Sequence, residues 1–368
     1  MAVDLRLNKL YTIMREAQLD IIALIPGPNL RYLTGGVHFV LERPIVMFLP
    51  LDEPPVAVIP QLEVTLFARH RLESRVYSWA DAEGYEGAFK AAFEAMGVCG
   101  KTIGVDGLHM RFFEGEIIRR CAPEATIVEA SDSLAELRIV KGPEEIAALR
   151  RAIQISEQGL QMTLDGVREG MSEIEIAAQL EMHLKALGGE GFPFHTIMHG
   201  GGNTALPHMG PLDYRIQHGD PLLFDFGATF DGYCADLTRT VFFGEVRDEF
   251  RKFYAVVQAA NEAGRAAARP GVAAGSVDVA TKQVILDAGY DRLMRHRTGH
   301  GLGLEAHEWP YIVEGNECLL QPGMVFTIEP GIYRLGEIGV RIEDDVLITD
   351  QGAESLSTFP RDIMVVKA

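Results

Sequence analysis

Two acidic residues, Asp225 and Asp236, lie on either side of an Asp231-Gly232 dipeptide that is typical of a two-residue β-hairpin turn. If this dipeptide forms the turn, Asp225 lies opposite Thr238, and Asp236 is its diagonal neighbour on the same face. Such diagonal neighbours are about 7–8 Å apart at the backbone. The two carboxylates could therefore bind one cation, or two cations roughly 3.5–4 Å apart. A one-residue slip in register would place them on opposite faces.

A second acidic pair consists of Glu329 and Glu343, in another strand-like region. Glu329 ends one strand. Glu343 lies in the next strand and shares a face with Arg341 and Asp345, because side chains alternate with a period of two. The sequence does not fix the register between these strands, since Pro330 interrupts the pairing and the loop is long.

One histidine, His300, lies in a glycine-rich run, Gly-His-Gly-Leu-Gly-Leu, that starts at Gly299. Glycines on both sides allow the backbone to approach a crowded centre closely. The run could suggest dinucleotide binding, but that motif needs a preceding strand and a following helix. Arg295-His-Arg precedes the run and Trp309-Pro310 follows it, which disfavours a nicotinamide dehydrogenase.

Charge balance indicates metal ions at these positions. Four carboxylates without cations would repel one another, and several would take up protons. Two divalent ions would cancel the four negative charges. One imidazole among hard oxygen ligands suits Mn²⁺ best, and Co²⁺, Zn²⁺ or Fe²⁺ could also bind. The sequence therefore predicts a two-metal hydrolytic site with five ligands: Asp225, Asp236, His300, Glu329 and Glu343.

This ligand set resembles that of the pita-bread metallopeptidases, which include prolidase, aminopeptidase P and methionine aminopeptidase. Asp236 follows Asp225 by eleven residues, and Glu343 follows Glu329 by fourteen. The surrounding words Asp-Leu-Thr-Arg-Thr, Gly-His-Gly-Leu-Gly-Leu, Glu-Pro-Gly-Ile-Tyr and Val-Arg-Ile-Glu-Asp are jointly specific, and the resemblance covers nearly the whole chain. A separate α/β domain ahead of the catalytic domain matches the prolidase and aminopeptidase P branch. The resemblance thus implies a peptidase that cleaves before proline.

The resemblance also implies a role for each ligand. Asp236 and Glu343 would bridge both metals, Asp225 would complete one metal, and His300 and Glu329 would complete the other. Coordination would lower the pKa of a bridging water to about 7, and this water would attack the carbonyl of the residue before proline. Glu329 would move a proton toward the leaving imino nitrogen.

Several further residues match functional positions of the family. His208 matches a histidine that contacts substrate near the metals, and His307 matches one that binds the scissile carbonyl or stabilises its oxyanion. Three others match positions that support or line the substrate pocket: His296, Tyr333 and Arg341. Arg341 could instead pair with Asp345. The remaining histidines are interpreted as structural or surface residues: His38, His70, His109, His183, His195, His199 and His218.

One position departs from the family pattern. Archaeal prolidases that resemble this chain carry arginine directly after His-Glu-Trp-Pro, where it can hold the free carboxylate of a dipeptide. This chain has Tyr311 there. Another residue could hold that carboxylate, so the choice between Xaa-Pro dipeptidase and Xaa-Pro aminopeptidase stays open.

The elements that position these residues are predicted to form two domains, an N-terminal creatinase/prolidase-like α/β domain (residues 1–137) and a pita-bread catalytic domain (residues 138–368), in an α/β (α+β) fold. Helices are expected from Pro143, from the capping box Ser172–Glu175, and from about Arg247 to Ala268. The two acidic pairs lie in hairpin candidates at residues 222–243 and 324–349. This duplicated layout predicts a site between two αβ halves.

Composition excludes some classes of protein. A net charge of −18 disfavours nucleic acid as a partner. None of the apolar runs reaches the ~18–20 residues of a membrane helix, and the N-terminus lacks a signal-peptide pattern. The four cysteines are scattered without a C-x-x-C pair, which favours reduced thiols in the cytoplasm. The expected partners are proline-containing dipeptides or short peptides, and the family resemblance implies a homodimer.

One alternative keeps the fold but changes the chemistry. Creatinase-like relatives hydrolyse a non-peptide amide or amidine, and others are non-catalytic binding scaffolds. Such metal-free relatives have typically lost several of the five ligands, whereas this chain retains all five. The complete set therefore favours the metallopeptidase.

Overall fold

The computed structural model describes residues 2–367. The chain divides into two compact units, one that ends at Arg138 and one that begins at Ile139. Among the described residues, no helix combines the length and the apolar character that a membrane span requires.

The first unit contains a six-stranded sheet with the strand order β4-β3-β2-β1-β5-β6. Its strands are β1 (Ile21–Leu24), β2 (Val46–Pro50), β3 (Val56–Pro60), β4 (Arg75–Trp79), β5 (Thr102–Val105) and β6 (Thr126–Glu129). Its helices are α1 (Ala2–Glu16), α2 (Pro28–Thr34), α3 (Val64–Phe67), α4 (Glu86–Met96), α5 (Phe112–Cys121) and α6 (Ser131–Ile139). Strands β1, β2 and β3 are buried at every residue, as expected for continuous apolar runs.

Four longer helices belong to the second unit: α7 (Pro143–Gly166), α8 (Glu173–Ala186), α9 (Asp248–Ala267) and α10 (Ala274–Asp287). The predicted start of α7 at Pro143 and the predicted capping box of α8 are confirmed. Ser172 Oγ accepts from the Glu175 N–H at 3.1 Å, and the Ser172 N–H donates to the Glu175 carboxylate at 2.7 Å. The sequence did not predict α10, whose first turns contain Gly, Ser, Val and Asp, all residues with weak helical preference.

The strands of the second unit form two larger sheets, ordered β19-β11-β8-β7 and β13-β12-β14-β17-β18, and two short two-stranded sheets, β9-β10 and β15-β16. Seven of these strands precede residue 313: β7 (Ile197–Gly200), β8 (Pro221–Phe226), β9 (Thr229–Phe230), β10 (Tyr233–Cys234), β11 (Leu237–Phe243), β12 (Gly299–Gly301) and β13 (Glu308–Ile312). Six follow: β14 (Val325–Ile328), β15 (Gly331–Arg334), β16 (Ile338–Arg341), β17 (Asp344–Thr349), β18 (Gly352–Ser355) and β19 (Val365–Val366).

The two larger sheets each pack against a pair of helices. One core joins apolar side chains of α7 and α8, such as Leu160 and Leu180, to Phe224 of β8. Another joins Val277 of α10 to Phe326 of β14. The predicted duplicated αβ layout is therefore present in this unit, and the two acidic pairs belong to different halves.

Candidate metal centre

The first acidic pair lies on the hairpin that the Asp-Gly turn predicts. Asp225 of β8 pairs with Thr238 of β11, so the predicted register is confirmed. The turn residues Asp231 and Gly232 have φ values of 48° and 79°, as a tight hairpin turn with the right-handed strand twist requires. Asp236 lies just before β11, in the short break that separates β10 from β11.

The second acidic pair lies at a gap in its hairpin. Strands β14 and β17 pair on one side of the gap and β15 and β16 on the other, in one continuous register. This register places Glu329 opposite Glu343. The strand predicted through Glu343 is interrupted, because Pro330 on the opposite segment has no N–H to donate. One long hydrogen bond, from the Ile342 N–H to the Pro330 carbonyl at 3.4 Å, spans the gap. Both carboxylates are thus free to point away from the ladders.

His300 lies on β12 between two glycines that have no room for a side chain. A Cβ at Gly299 would overlap the carbonyl of Thr327, and a Cβ at Gly301 would overlap the carbonyl of Trp309. The neighbouring strands therefore pack directly against the backbone around His300. This close approach explains why both residues are glycine, as the sequence analysis proposed.

Substituting Gly299 with Ala should destabilise the protein by about 3 kcal/mol, because the added methyl group meets a backbone carbonyl that cannot move independently. Activity should fall as well, since β12 carries His300. Urea denaturation followed by circular dichroism measures the first effect. The matched control is Gly166→Ala at the end of α7, where the new methyl group has only an ordinary contact. Equal stability of the two variants would contradict the packing explanation.

The five predicted ligands converge in one cluster. Ligand atoms of Asp225, Asp236 and Glu343 lie within 4.8 Å of one another, and so do those of His300, Glu329 and Glu343. His300 Nε2 is 3.2 Å from Glu329 Oε1 and 3.7 Å from Asp236 Oδ2. Glu343 therefore belongs to both groups and links them.

The electrostatics of the cluster show the cost of holding it together without cations. Burial raises the pKa of Asp236 well above its ordinary value, and the charges of Glu343 and Asp225 raise it further. The pKa of Glu343 is raised in the same way, by burial and by Glu329 and Asp225. Burial also opposes ionisation of Glu329, but the hydrogen bond from His300 and neighbouring positive charges outweigh it and lower the pKa to about 2. A mainly oxygen donor set with excess negative charge fits divalent cations.

Several hydrogen bonds fix the Glu343 segment. The Thr238 hydroxyl donates to the Glu343 carboxylate at 2.6 Å, and the Glu343 N–H donates to Thr238 O at 3.1 Å. Buried Arg239 donates to the Glu343 carbonyl at 2.5 Å and to Asp344 at 2.8 Å. The segment Asp-Leu-Thr-Arg-Thr thus contains one predicted ligand, Asp236, and the residues that position another predicted ligand, Glu343.

Arg341 is buried, with 2% of its surface exposed, and it forms an ion pair with Asp225. The alternative pairing with Asp345 is therefore wrong. Asp345 instead accepts a hydrogen bond from the Asp236 N–H at 3.2 Å, which fixes the segment that carries this carboxylate. Arg341 and Asp345 thus each contact a predicted metal ligand, Asp225 and Asp236 respectively.

A hydrogen-bonded chain connects Arg341 to His296 through Tyr333. Arg341 Nη1 donates to the Tyr333 hydroxyl at 2.7 Å, and this hydroxyl lies 2.7 Å from His296 Nε2. His296 Nδ1 lies 2.8 Å from the carbonyl of Arg297, so in the neutral ring Nδ1 donates and Nε2 accepts from Tyr333. Burial lowers the pKa of His296, which favours this neutral ring.

Most of the predicted residues line one cavity of about 570 Å³. Nine of them do so: His208, Asp225, Asp236, His296, His300, His307, Glu329, Arg341 and Glu343. Tyr333 is fully buried and is absent from the lining, so of its two predicted roles its position favours supporting the pocket over contacting substrate. Its two hydrogen bonds instead position His296 and Arg341.

The sequence reasoning missed five lining residues: Phe194, His195, Ile197, Gly210 and Arg297. His195, which the sequence analysis interprets as a structural or surface residue, thus lies at the cavity wall. Nothing in the local sequence distinguishes His195, whose ring packs against Gly210, another residue of the cavity wall. Arg297 could have been predicted to line the cavity, since it directly follows His296 in the short basic stretch.

His307 is exposed at the cavity surface and packs against His300, with ring centroids 4.0 Å apart. Burial, and then the charge of His300, lower the pKa of His307 to about 4, so the ring is neutral at pH 7. A neutral imidazole can donate one hydrogen bond to an oxygen that becomes negative. His307 also forms a possible ligand group with Asp236 and His300, so its role needs a direct test.

Comparisons with known proteins agree with this site. Residues 147–350 match metallopeptidase family M24, and residues 6–140 match the creatinase/prolidase N-terminal domain. The chain is 33% identical to the Xaa-Pro dipeptidase of Pyrococcus furiosus over 366 residues, which covers 98% of this chain and 99% of the relative.

Solved structures resemble the chain over its full length. A recombinant prolidase from Thermococcus sibiricus superposes with a TM-score of 0.95 at 34% identity and covers 99% of each chain. An X-Pro aminopeptidase from Thermotoga maritima gives a TM-score of 0.86 at 31% identity, over 98% of this chain and 99% of the other.

The fold and the cluster together define a metal-dependent peptidase with divalent ions at its centre. The chain belongs to metallopeptidase family M24. Its first unit carries the N-terminal domain that creatinases and prolidases share.

Proposed function

We propose that this protein is an Xaa-Pro peptidase that uses two divalent metal ions to hydrolyse the bond between an N-terminal residue and proline. The observation that carries the proposal is the convergence of five donor residues in two groups, joined by Glu343, at the surface of one cavity. The similarity to proteins named Xaa-Pro dipeptidase, prolidase and X-Pro aminopeptidase supports this substrate class.

The proposed metal ligands are Asp225, Asp236, His300, Glu329 and Glu343. Among the four carboxylates, Asp236 and Glu343 would be the ligands that the two ions share, since each occurs in two of the possible ligand groups, whereas Asp225 and Glu329 each occur in one. His300 also occurs in two groups. Mn²⁺ is the proposed metal, since hard oxygen donors with one imidazole suit it. When bound, the ions supply Lewis acidity and a water of lowered pKa.

The protein's own residues would then bind substrate and move the proton. Glu329 has a lowered pKa and is ionised at neutral pH. It would take a proton from the attacking water and pass it to the prolyl nitrogen as the peptide bond breaks. His307 would donate a hydrogen bond to the scissile carbonyl oxygen, where negative charge develops. His208, on the same cavity wall, would contact the substrate close to the metals.

Three residues are proposed to complete the pocket. His296 and Arg341 line it directly, and we assign Tyr333 to positioning both of them through its hydroxyl. Arg341 would also orient Asp225, since the two form an ion pair. These roles would place the substrate beside the proposed metal ligands.

Hydrolysis of Xaa-Pro dipeptides such as Leu-Pro by purified, Mn²⁺-loaded protein tests the proposal. Proline release should stop after chelation and return when Mn²⁺ is restored. Hydrolysis that chelation leaves unchanged, or the lack of any Xaa-Pro hydrolysis by the loaded enzyme, would refute it. Leu-Ala, which lacks proline, serves as the matched control substrate and should be cleaved far more slowly.

Three further properties are part of this proposal. The two domains would be residues 1–137 and 138–368, supported by the division between Arg138 and Ile139. A cytoplasmic location is supported by the scattered spacing of the four cysteines, which favours reduced thiols. A homodimer is proposed from the family resemblance, and light scattering during size-exclusion chromatography measures it directly.

A further inference from the structure

Two guanidinium groups line the cavity, and one of them is fully engaged. Arg341 is buried and binds Asp225, the Tyr333 hydroxyl and the Thr238 hydroxyl. Its donors therefore hold the site together and are not available to a substrate carboxylate. The other guanidinium belongs to Arg297.

Arg297 has a different environment. Its side chain is partly exposed, and none of the carboxylates described between residues 5 and 367 forms an ion pair with it. Its guanidinium carbon lies 4.2 Å from the centroid of the Tyr311 ring. Stacking of this kind occupies the flat face of a guanidinium and leaves the N–H groups at its edge free. Arg297 is therefore a pre-oriented cation with unused donors.

The local backbone fixes this cation next to the catalytic residues. The Arg297 carbonyl is hydrogen bonded to His296, whose Nδ1 lies 3.7 Å from the Glu329 carboxylate. Tyr311 on β13 pairs with His300 on β12. The ring that stacks on Arg297 therefore belongs to a strand that is paired with the strand of a predicted ligand. Arg297, His307 and Glu329 line the same cavity.

The chemistry of the substrate indicates what such a cation would bind. In an Xaa-Pro dipeptide, the free carboxylate is attached to the same proline whose nitrogen leaves, so it lies only one residue beyond the scissile carbonyl. A longer peptide or an amide places a neutral carbonyl group there. Guanidinium binds carboxylate with two parallel, charge-assisted hydrogen bonds, which a neutral carbonyl cannot reproduce. A cation fixed at this point would select dipeptides.

We propose that Arg297, stacked on Tyr311, binds the free carboxylate of the substrate and makes this protein a dipeptidase. This inference rests on the proposed Xaa-Pro peptidase function. It also accounts for Tyr311 at the position where similar archaeal prolidases have arginine. In this chain Arg297 supplies the positive charge, and the Tyr311 ring supports the guanidinium group.

The test compares Leu-Pro with its amide, Leu-Pro-NH₂, and with Leu-Pro-Gly, using Mn²⁺-loaded wild type and the variant Arg297→Gln. Wild type should prefer the free dipeptide in kcat/KM by about 10- to 100-fold, the usual size of one charge-assisted contact. Arg297→Gln should remove this preference by lowering kcat/KM for Leu-Pro alone. Arg297→Lys, which keeps the charge but not the two-pronged geometry, should recover part of it.

The matched control is Arg295→Gln, because Arg295 is exposed and lies two residues away outside the cavity lining. It should leave the preference intact. Metal content and the thermal midpoint of each variant separate a binding effect from a loss of structure. Equal loss on all three substrates in Arg297→Gln, or a wild type that cleaves the amide as well as the acid, would overturn the inference. Failure of wild type to cleave any of the three substrates would instead refute the Xaa-Pro function.

A binding measurement gives a second readout that does not depend on turnover. Calorimetric titration of the product L-proline into wild type should give a lower Kd than titration of L-prolinamide, and Arg297→Gln should remove that difference. A difference that persists in Arg297→Gln would place the carboxylate contact on another residue.

Discussion

Replacement of Glu343 by Gln is expected to lower kcat/KM on Leu-Pro by at least about 1,000-fold and to reduce the metal content below two ions per chain. Loss of a group that only supports a metal ligand lowers metal affinity or activity by about 10–100-fold. Loss of a ligand that belongs to both donor groups should lower them further. The variant keeps the size and shape of the side chain, so the Thr238 contact can remain. Steady-state kinetics and elemental analysis of the purified variant measure both effects.

The control for this variant is Glu337→Gln, since Glu337 is exposed and lies in the turn between β15 and β16. It should retain wild-type activity and metal content. A Glu343→Gln enzyme with two bound metals and normal turnover would contradict the assignment of Glu343 as the shared ligand.

Replacement of His307 by Gln is expected to lower kcat by about 100- to 1,000-fold while both metals stay bound. This is the usual cost of removing one hydrogen-bond donor to a developing oxyanion. His307 is exposed at the cavity and stacked on His300, so its loss should leave the buried carboxylates in place. The measurement is kcat on Leu-Pro together with the number of metal ions per chain.

The matched control is His218→Gln, because His218 is an exposed histidine outside the cavity lining. It should behave as wild type. If His307→Gln loses metal in parallel with activity, His307 is a ligand and not an oxyanion donor. The grouping of His307 with Asp236 and His300 would then describe a real coordination site.

The first half of the site could be predicted from the sequence because a local turn determines it. The Asp231-Gly232 dipeptide fixes a two-residue loop, and this loop alone sets the pairing of Asp225 with Thr238. The second half lacked such a signal. Pro330 breaks the ladder, and the opposition of Glu329 to Glu343 depends on pairing that continues beyond the break.

The missed residues depend on contacts between segments that are distant in sequence. His195 reaches the cavity through its approach to Gly210, and Arg297 is oriented by the ring of Tyr311. For Tyr333 the sequence left two roles open, supporting the pocket or lining it. Its position on β15 turns the side chain into the interior, where it contacts His296 and Arg341. Spacing along the chain identifies ligands well, but it does not show which neighbours face the substrate.

A crystal structure of the Mn²⁺-loaded protein, with anomalous diffraction collected near the manganese edge, tests the two-metal centre most directly. The expected map has two anomalous peaks per chain, each within about 2–2.5 Å of carboxylate oxygens of both Asp236 and Glu343. A single peak, or peaks that lie away from these two side chains, would contradict the shared-ligand centre on which the proposed peptidase function depends.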